Sequence, residues 1–124
     1  MSADFWMEGT FKPDTLVIHP GRAEKVAIKA GGGILKRGSV LGRVTTDRKY
    51  LLSLAAASDG SQVPEAILSS DVDATAADVE AVVYVTGTYN ANVVTLGAGH
   101  TLNSVRDAFR SKDIYLDATY KSPV

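Results

Sequence analysis

Short apolar stretches separated by glycine, proline and aspartate make up most of the chain after residue 24. In residues 26–29 valine and isoleucine alternate with lysine, which is the two-residue period of a half-buried strand. Glycines punctuate the residues that follow and mark tight turns or bulges. Further strand-like stretches lie at 31–47, 49–57, 63–68, 80–96 and 113–120. The pattern predicts a chain of short strands, with a kink near Gly87.

One segment has the spacing of a helix, predicted over residues 102–112. Thr101 can cap it, and three apolar residues spaced three and four apart share one face. They are Leu102, Val105 and Phe109, with Ala108 beside them. Residues 71–78, "DVDATAAD", instead predict a loop or at most one helical turn. The predicted fold class is therefore β-rich α+β: a single compact domain with short strands, hairpins and one short helix.

A dipeptide near the middle of the chain predicts a tight turn. Asp59-Gly60 is typical of a type I′ hairpin turn, because both central residues of that turn need positive φ. Pro64 follows, and since proline cannot donate to a sheet ladder, residues 63–68 are expected at a sheet edge or a bulge. We therefore predict a hairpin whose turn is formed by Asp59 and Gly60.

Residues 1–21 are unusually rich in aromatic and apolar side chains for a chain terminus. An apolar side chain left in water forgoes about 1.5–3 kcal/mol of burial, so these side chains should be buried somewhere. They either pack on the domain's own core or form an arm that docks on another subunit. Pro13, Pro20 and Gly21 favour the arm, because they break regular structure. The side chains predicted to dock are Phe5, Trp6, Met7, Phe11, Leu16, Val17 and Ile18. The predicted domains are the arm, 1–21, and a β-rich domain, 22–124.

The formal net charge of −1 conceals two oppositely charged stretches. Residues 22–49 hold eight Lys or Arg and two acids, whereas residues 50–102 hold six acids and no Lys or Arg. Such a division is compatible with nucleic-acid binding, with complementary faces that steer protein assembly, or with two solvated faces of one domain.

Two stretches resemble ligand-binding loops, but each lacks a residue that the ligand requires. Residues 33–39 have two glycines at the interval of a phosphate-binding loop, but Ser39 stands where the phosphate-binding lysine is needed. Asp71, Asp73 and Asp78 could supply oxygen ligands. A calcium loop starting at Asp71 would need glycine at its sixth place and glutamate at its twelfth, and the chain has alanine and valine there. We predict neither a metal nor a cofactor site.

No constellation of residues predicts catalysis. His19 and His100 are the only histidines, the chain has no cysteine, and no G-x-S-x-G motif occurs. The three aspartates are better explained as turn formers, because aspartate accepts hydrogen bonds from nearby backbone N–H groups. We therefore predict that the protein is not an enzyme and has no catalytic residues.

The sequence gives no sign of membrane insertion. No apolar run approaches the roughly 20 residues that cross a bilayer, and charged residues interrupt the N-terminal region where a secretion signal would lie. The lack of cysteine fits a reducing compartment. We expect a product of the cytoplasm with no membrane partner.

The order of several segments resembles the lambda-type bacteriophage head decoration proteins. The segments are "RKYLLSLAAASDGSQVPEAILSSDVDAT", "VVYVTGTYN" and "VRDAFRSKDIYL", preceded by "GGGILKRGSVLGRV". In that family a strand leads through a D-G turn into an apolar strand and an acidic loop, and a strand ending in G-T-[FY] follows. The resemblance covers about residues 25–118.

The resemblance implies a capsid decoration protein that forms homotrimers on the outer surface of the phage head, at local threefold positions. Such proteins bind the major capsid protein and stabilise the expanded shell against the pressure of packaged DNA. The family fold is β-clip-like, and its N-terminal segment adds a strand to capsid β-structure, which would make the predicted arm the capsid-binding element. The expected location is the virion, after assembly in the host cytoplasm.

A second function remains compatible with the charge pattern. A small nucleic-acid-binding β-domain would use the basic residues 22–49 to contact phosphates. Single-strand binding also calls for aromatic side chains among the basic residues, and Tyr50 is the only aromatic nearby. We therefore expect no direct nucleic-acid partner.

Overall fold

The computed structural model describes residues 16–118 of the chain. These residues form a single compact β-rich domain with ten strands and one short helix. The strands are β1 (Val17–Pro20), β2 (Ala23–Ile28), β3 (Gly33–Leu35), β4 (Val40–Arg43), β5 (Tyr50–Leu52), β6 (Pro64–Leu68), β7 (Val72–Ala74), β8 (Val79–Tyr84), β9 (Gly87–Asn90) and β10 (Ile114–Asp117), and the helix is α1 (Leu102–Arg110).

Five strands close into a small barrel in the order β2-β5-β4-β6-β8. The longest ladder joins β2 to β8 in antiparallel register, from Ala23 opposite Tyr84 to Ile28 opposite Val79. The barrel closes at its weakest point, where β2 and β5 run parallel and pair only through Ile28 and Tyr50. Closure removes the exposed edges that an open five-stranded sheet would leave.

A second layer lies beside the barrel. It contains the three-stranded sheet β1-β9-β10, in which β9 pairs antiparallel with β1 and parallel with β10. Helix α1 contacts both β10 and barrel strand β6. Strands β3 and β7 form a separate two-stranded sheet.

Two apolar clusters form the core, and strands β4 and β6 belong to both. Leu41 of β4 and Leu68 of β6 lie in the barrel cluster, whereas their neighbours Val40 and Ile67 lie in the cluster under α1. Since successive strand residues point to opposite faces, a strand buried on both faces must be apolar at every position. This explains why residues 66–68 form an unbroken apolar run.

The predicted helix is confirmed in position and capping. It begins after Thr101, whose side chain accepts a hydrogen bond from the Ser104 N–H, and Ser104 Oγ accepts one from the Thr101 N–H. Val105 and Phe109 are fully buried, as the three-and-four spacing predicts. The helix ends at Arg110, two residues before the predicted end.

Residues 71–78 differ from their prediction. They contain strand β7, in which Val72 pairs with Leu35 and Ala74 pairs with Gly33. The three-residue strand has no extended apolar alternation, so only the presence of β3 as a partner makes it a strand. The β-clip-like description of the fold stays a prediction.

The predicted hairpin at Asp59-Gly60 is wrong in its pairing. Strands β5 and β6, which this loop connects, are not neighbours, because β4 lies between them and pairs with both. Gly60 has the expected positive φ of 106°, but Asp59 does not have positive φ, so the turn is not type I′. Asp59 Oδ1 instead accepts hydrogen bonds from the Ser61 N–H and hydroxyl, at 3.0 and 2.6 Å. Pro64 does lie at a bulge, opposite Gly42, but within the closed barrel and not at an edge.

The predicted boundary of the N-terminal arm at residue 21 needs correction. Leu16 is only 3% exposed and packs in the cluster under α1, and residues 17–20 form β1, which is hydrogen-bonded to β9. Val17 and Ile18 are half-buried. The folded domain therefore includes residues 16–21, because β9 offers a strand edge that local sequence does not reveal. Phe5, Trp6, Met7 and Phe11 lie outside the described residues.

Leu16→Ala tests this boundary. Truncating a core leucine should cost about 2–5 kcal/mol of unfolding free energy, measured by chemical denaturation, because the cavity it leaves is only partly filled. Ile34→Ala is the control, because Ile34 is 65% exposed and surface truncations usually change stability by less than about 0.5 kcal/mol. If both substitutions lowered the unfolding free energy by the same small amount, Leu16 would belong to the arm.

Gly60→Val should destabilise the fold through two separable effects. Valine at positive φ costs roughly 1–2 kcal/mol, and a Cβ at residue 60 would also lie 2.1 Å from Thr45 Oγ1. Gly31→Val is a matched control, since Gly31 has φ 87° but no atom within 4 Å of the added Cβ. Gly60→Val should therefore lower the melting temperature more than Gly31→Val does. An unchanged melting temperature for Gly60→Val would contradict the loop geometry.

Candidate functional site

The β1-β9-β10 sheet is where the described domain meets the predicted arm. Val17 of β1 lies opposite Tyr89 of β9, and a register irregularity follows before His19 pairs with Thr88. At the far end of β1, a Cβ on Gly21 would lie 2.4 Å from the Thr86 carbonyl oxygen, so only glycine fits this close approach. The residues just after the predicted docking aromatics therefore lead directly into a strand that is hydrogen-bonded to β9.

Two stacked tyrosines connect this sheet to the barrel. The rings of Tyr84 in β8 and Tyr89 in β9 lie 5.0 Å apart with an angle of 27° between their planes. The fully buried Tyr89 donates its hydroxyl to the Thr86 carbonyl at 2.6 Å, and burial raises the pKa of Tyr89. The Arg37 guanidinium lies 5.8 Å from the centre of the Tyr84 ring and donates to the Ser69 carbonyl. This packing holds β9, and with it β1, against the barrel.

The two oppositely charged stretches of the sequence pair with each other within one molecule. Four ion pairs join a base from residues 22–49 to an acid from residues 50–102: Lys25–Glu80, Lys36–Asp71, Arg43–Glu65 and Lys49–Asp78. Three of these pairs arise because β2 lies beside β8, β4 beside β6, and β3 beside β7. The fourth, Lys49–Asp78, joins the residues just before β5 and β8, which both pair with β2. The basic stretch is therefore partly neutralised on folding, which weakens the argument for a phosphate-binding surface at residues 22–49.

The three aspartates that raised the question of metal binding have separate partners. Asp71 accepts a hydrogen bond from the Arg37 N–H at 2.8 Å, and Asp73 accepts two from Thr75. Asp78 accepts from the Ala30 N–H at 2.7 Å and from Lys49 Nζ at 2.5 Å. Within residues 16–118, no group of three His, Cys, Asp or Glu side chains could hold a metal ion. The aspartates act as turn formers and as ion-pair partners.

The two histidines have different surroundings and do not form a joint site. His19 is exposed on β1. The His100 ring lies 3.0 Å from the Gln62 carbonyl oxygen and 3.1 Å from both Ser53 Oγ and Ser104 Oγ. His100 thus ties the loops around residues 53 and 62 to the start of α1, which is a structural role.

A basic cleft between α1 and β10 was not identified from the sequence. We call it the α1–β10 cleft; its volume is about 40 Å³, and it is lined by Arg106, Arg110, Ile114, Tyr115 and Leu116. The two arginines lie one helical turn apart, and Tyr115 is 48% exposed. The feature of the sequence that could have predicted this cleft is the four-residue spacing of the two arginines. The same spacing also fits an ordinary solvated helix face.

Some apolar side chains are exposed within the described part of the chain. The large ones are Ile34, Leu54, Val63, Val82, Val93 and Tyr115. Isolated exposed apolar residues are usual in folded proteins and do not by themselves mark an interface. The one helix among residues 16–118 is neither long enough nor apolar enough to span a membrane.

Asp78→Asn tests the role of the ion pairs. The hydrogen bond from Lys49 lowers the pKa of Asp78, aided by the Ala30 N–H. A lowered folded-state pKa stabilises the protein above the unfolded-state value of about 3.9 and ceases to do so as pH falls through the folded-state value. Asp78→Asn should therefore be less stable than wild type at pH 7, with a gap that closes below about pH 4.

The measurement is urea denaturation of both proteins at pH 7, 5 and 3. Asp107→Asn is the control, because Asp107 is exposed on α1 and belongs to none of the ion pairs described above. A stability gap for Asp78→Asn that is the same at pH 3 as at pH 7 would contradict the proposed role of its charge.

Comparison with known proteins agrees with the resemblance seen in the sequence. The family model described as Bacteriophage lambda head decoration protein D matches residues 6–113. No curated protein matches the chain. The matched range extends from Trp6 in the predicted arm to the residue before β10, and so includes the barrel, α1, and strands β1 and β9 of the second sheet. The chain therefore belongs to the bacteriophage lambda head decoration protein D family, whose members are structural proteins of the phage virion that decorate the capsid.

Proposed function

We propose that the protein binds as a homotrimer to the outer surface of the phage head, at local threefold positions, and stabilises the expanded shell against internal DNA pressure. The observation that carries this proposal is the family match over residues 6–113, which spans most of the folded domain and most of the arm. The partner is the major capsid protein, and the protein acts by binding and not by catalysis. Assembly takes place in the host cytoplasm.

The binding element is the N-terminal arm, which leads into β1. Phe5, Trp6, Met7 and Phe11 supply apolar side chains that gain free energy when they leave water, about 1.5–3 kcal/mol each when fully buried. An extended segment can add to an exposed strand edge of the capsid through backbone hydrogen bonds, while alternate side chains fill pockets. Leu16 is excluded from this role because it is buried in the domain, whereas Val17 and Ile18 remain candidates at the rim.

Trimerisation makes weak docking by single arms effective. A threefold-symmetric molecule presents three identical arms to the threefold environment of the shell, so the second and third contacts are effectively intramolecular. Linking sites in this way can raise the overall affinity by about 10²–10⁴. Each trimer would thereby hold neighbouring capsid subunits together, which opposes their separation under pressure.

Deleting residues 2–14 should leave a folded trimer and reduce binding to expanded, undecorated heads at least about 100-fold, since the loss includes the avidity of three arms. Binding is measured as bound copies per capsid subunit after sedimentation, and the trimer by light scattering. Phe5→Ser combined with Trp6→Ser in the full-length chain should weaken binding in the same direction without a change in melting temperature.

Each part of the proposal has its own contrary result. Unfolding of the deletion variant would show that the arm aromatics belong to the domain core. Undiminished binding of that variant would remove the arm from the interface. A wild-type monomer that decorates heads would contradict the homotrimer, and a wild-type trimer that leaves heads bare and heat-sensitive would contradict decoration itself.

A further inference from the structure

Asp59-Gly60 is the one Asp-Gly dipeptide in the chain, and this dipeptide is prone to a spontaneous rearrangement. The glycine nitrogen bonds to the aspartate Cγ, and a carboxyl oxygen leaves as water with the amide proton, which gives a five-membered succinimide. Glycine favours this step because it has no side chain to obstruct ring closure. The ring then takes up water at either carbonyl carbon. Opening at the main-chain carbonyl yields isoaspartate, with one additional carbon in the main chain.

The Gly60 nitrogen, which is the attacking atom in this reaction, is held by a side chain two residues further on. Its N–H donates to Gln62 Oε1 at 2.8 Å. The N–H must leave this acceptor before the nitrogen can bond to Cγ of Asp59, and the neutral Gln62 amide accepts the hydrogen bond without removing the proton. Gln62 is half-buried, and its carbonyl oxygen lies 3.0 Å from the His100 ring. The residue that supplies the acceptor is therefore itself anchored.

The Asp59 carboxyl group, which is the group attacked, is held by Ser61. Asp59 Oδ1 accepts hydrogen bonds from the Ser61 N–H and hydroxyl, and Ser61 is only 2% exposed. These hydrogen bonds lower the pKa of Asp59 and so keep its carboxyl group ionised at neutral pH. An ionised carboxylate is a poor electrophile, because oxide is a far worse leaving group than the water that a protonated carboxyl group releases.

The peptide plane between Asp59 and Gly60 is also restrained. The Asp59 carbonyl oxygen accepts a hydrogen bond from the Thr45 N–H at 2.8 Å. A Cβ on Gly60 would lie 2.1 Å from Thr45 Oγ1, and a Cβ on Gly42 would lie 1.9 Å from the Ser61 carbonyl oxygen, so the loop packs directly on its neighbours. Bringing the Gly60 nitrogen to bonding distance of Cγ turns this plane and disrupts the hydrogen bond from Thr45. The loop must therefore open locally before the dipeptide can react.

We infer that Asp59-Gly60 is a latent isomerisation site, which Ser61 and Gln62 keep unreactive in the folded protein and which reacts when residues 59–62 open. The inference concerns the folded domain and holds whether or not the protein decorates a capsid. Isoaspartate at this position would lengthen the main chain within a loop that has no spare room beside Thr45 and Gly42. Isomerisation would therefore disturb the packing of this loop on β4 and its contact with His100.

The test compares wild-type protein in its folded state with the same chain unfolded in guanidinium chloride, both incubated at neutral pH. Protein isoaspartyl methyltransferase labels isoaspartate, and fragmentation of the peptide that contains residue 59 locates it. Folded wild type should accumulate isoaspartate at Asp59 at least about tenfold more slowly than the unfolded chain, which corresponds to about 1.4 kcal/mol of local opening. Equal rates in the two states would overturn the inference.

Two substitutions test the side chains that restrain the site. Ser61→Ala removes the hydroxyl donor, and Gln62→Met keeps the side-chain length but removes the amide oxygen. Each should raise the rate in the folded protein about fivefold, as expected for the loss of one hydrogen bond. Ser58→Ala is the matched control and should leave the rate unchanged, since Ser58 is exposed and precedes the reacting pair.

Circular dichroism melting shows whether each variant is folded during the incubation. Folded Ser61→Ala and Gln62→Met proteins that isomerise no faster than wild type would overturn the inference, as would an equal increase in Ser58→Ala. The comparison of folded with unfolded wild type needs no variant, so it decides the inference even if a substitution prevents folding.

Discussion

Strands β4 and β6 are buried on both faces, and the two halves of the fold depend on this double burial. Their residues alternate between the barrel interior and the layer under α1, so each strand contributes to two cores at once. A barrel of five short strands buries little surface by itself, and the second layer adds the burial that a small domain needs. This double burial explains why residues 66–68, "AIL", are all apolar.

Electrostatics follows from the same strand order. The closed barrel and the β3–β7 sheet bring basic strands against acidic ones, and a charge division that is conspicuous in the sequence becomes a set of local ion pairs. Exposed pairs of this kind contribute little stability individually, commonly below about 1 kcal/mol. Their effect is to limit the charged surface left for partners.

A folded domain with the proposed apolar arm suits a protein that decorates a capsid. The domain supplies a fixed geometry, because β1 is hydrogen-bonded to β9 and β9 is held to the barrel by the Tyr84–Tyr89 stack. The proposed arm ends before Leu16, so its junction with the domain is defined by a buried residue. In the proposed homotrimer a defined junction would matter, since the three arms would have to reach equivalent sites together.

The sequence by itself determined the β-rich class, the capped helix, the positive φ at Gly60 and the family, because periodicity, capping and glycine conformation are local properties. Only the tertiary structure decided that β4 separates β5 from β6, that residues 72–74 become a strand against β3, and that Leu16 belongs to the domain. In each of these cases a distant strand supplies the hydrogen bonds or the apolar surface. No pattern within a short stretch of chain encodes which distant partner that will be.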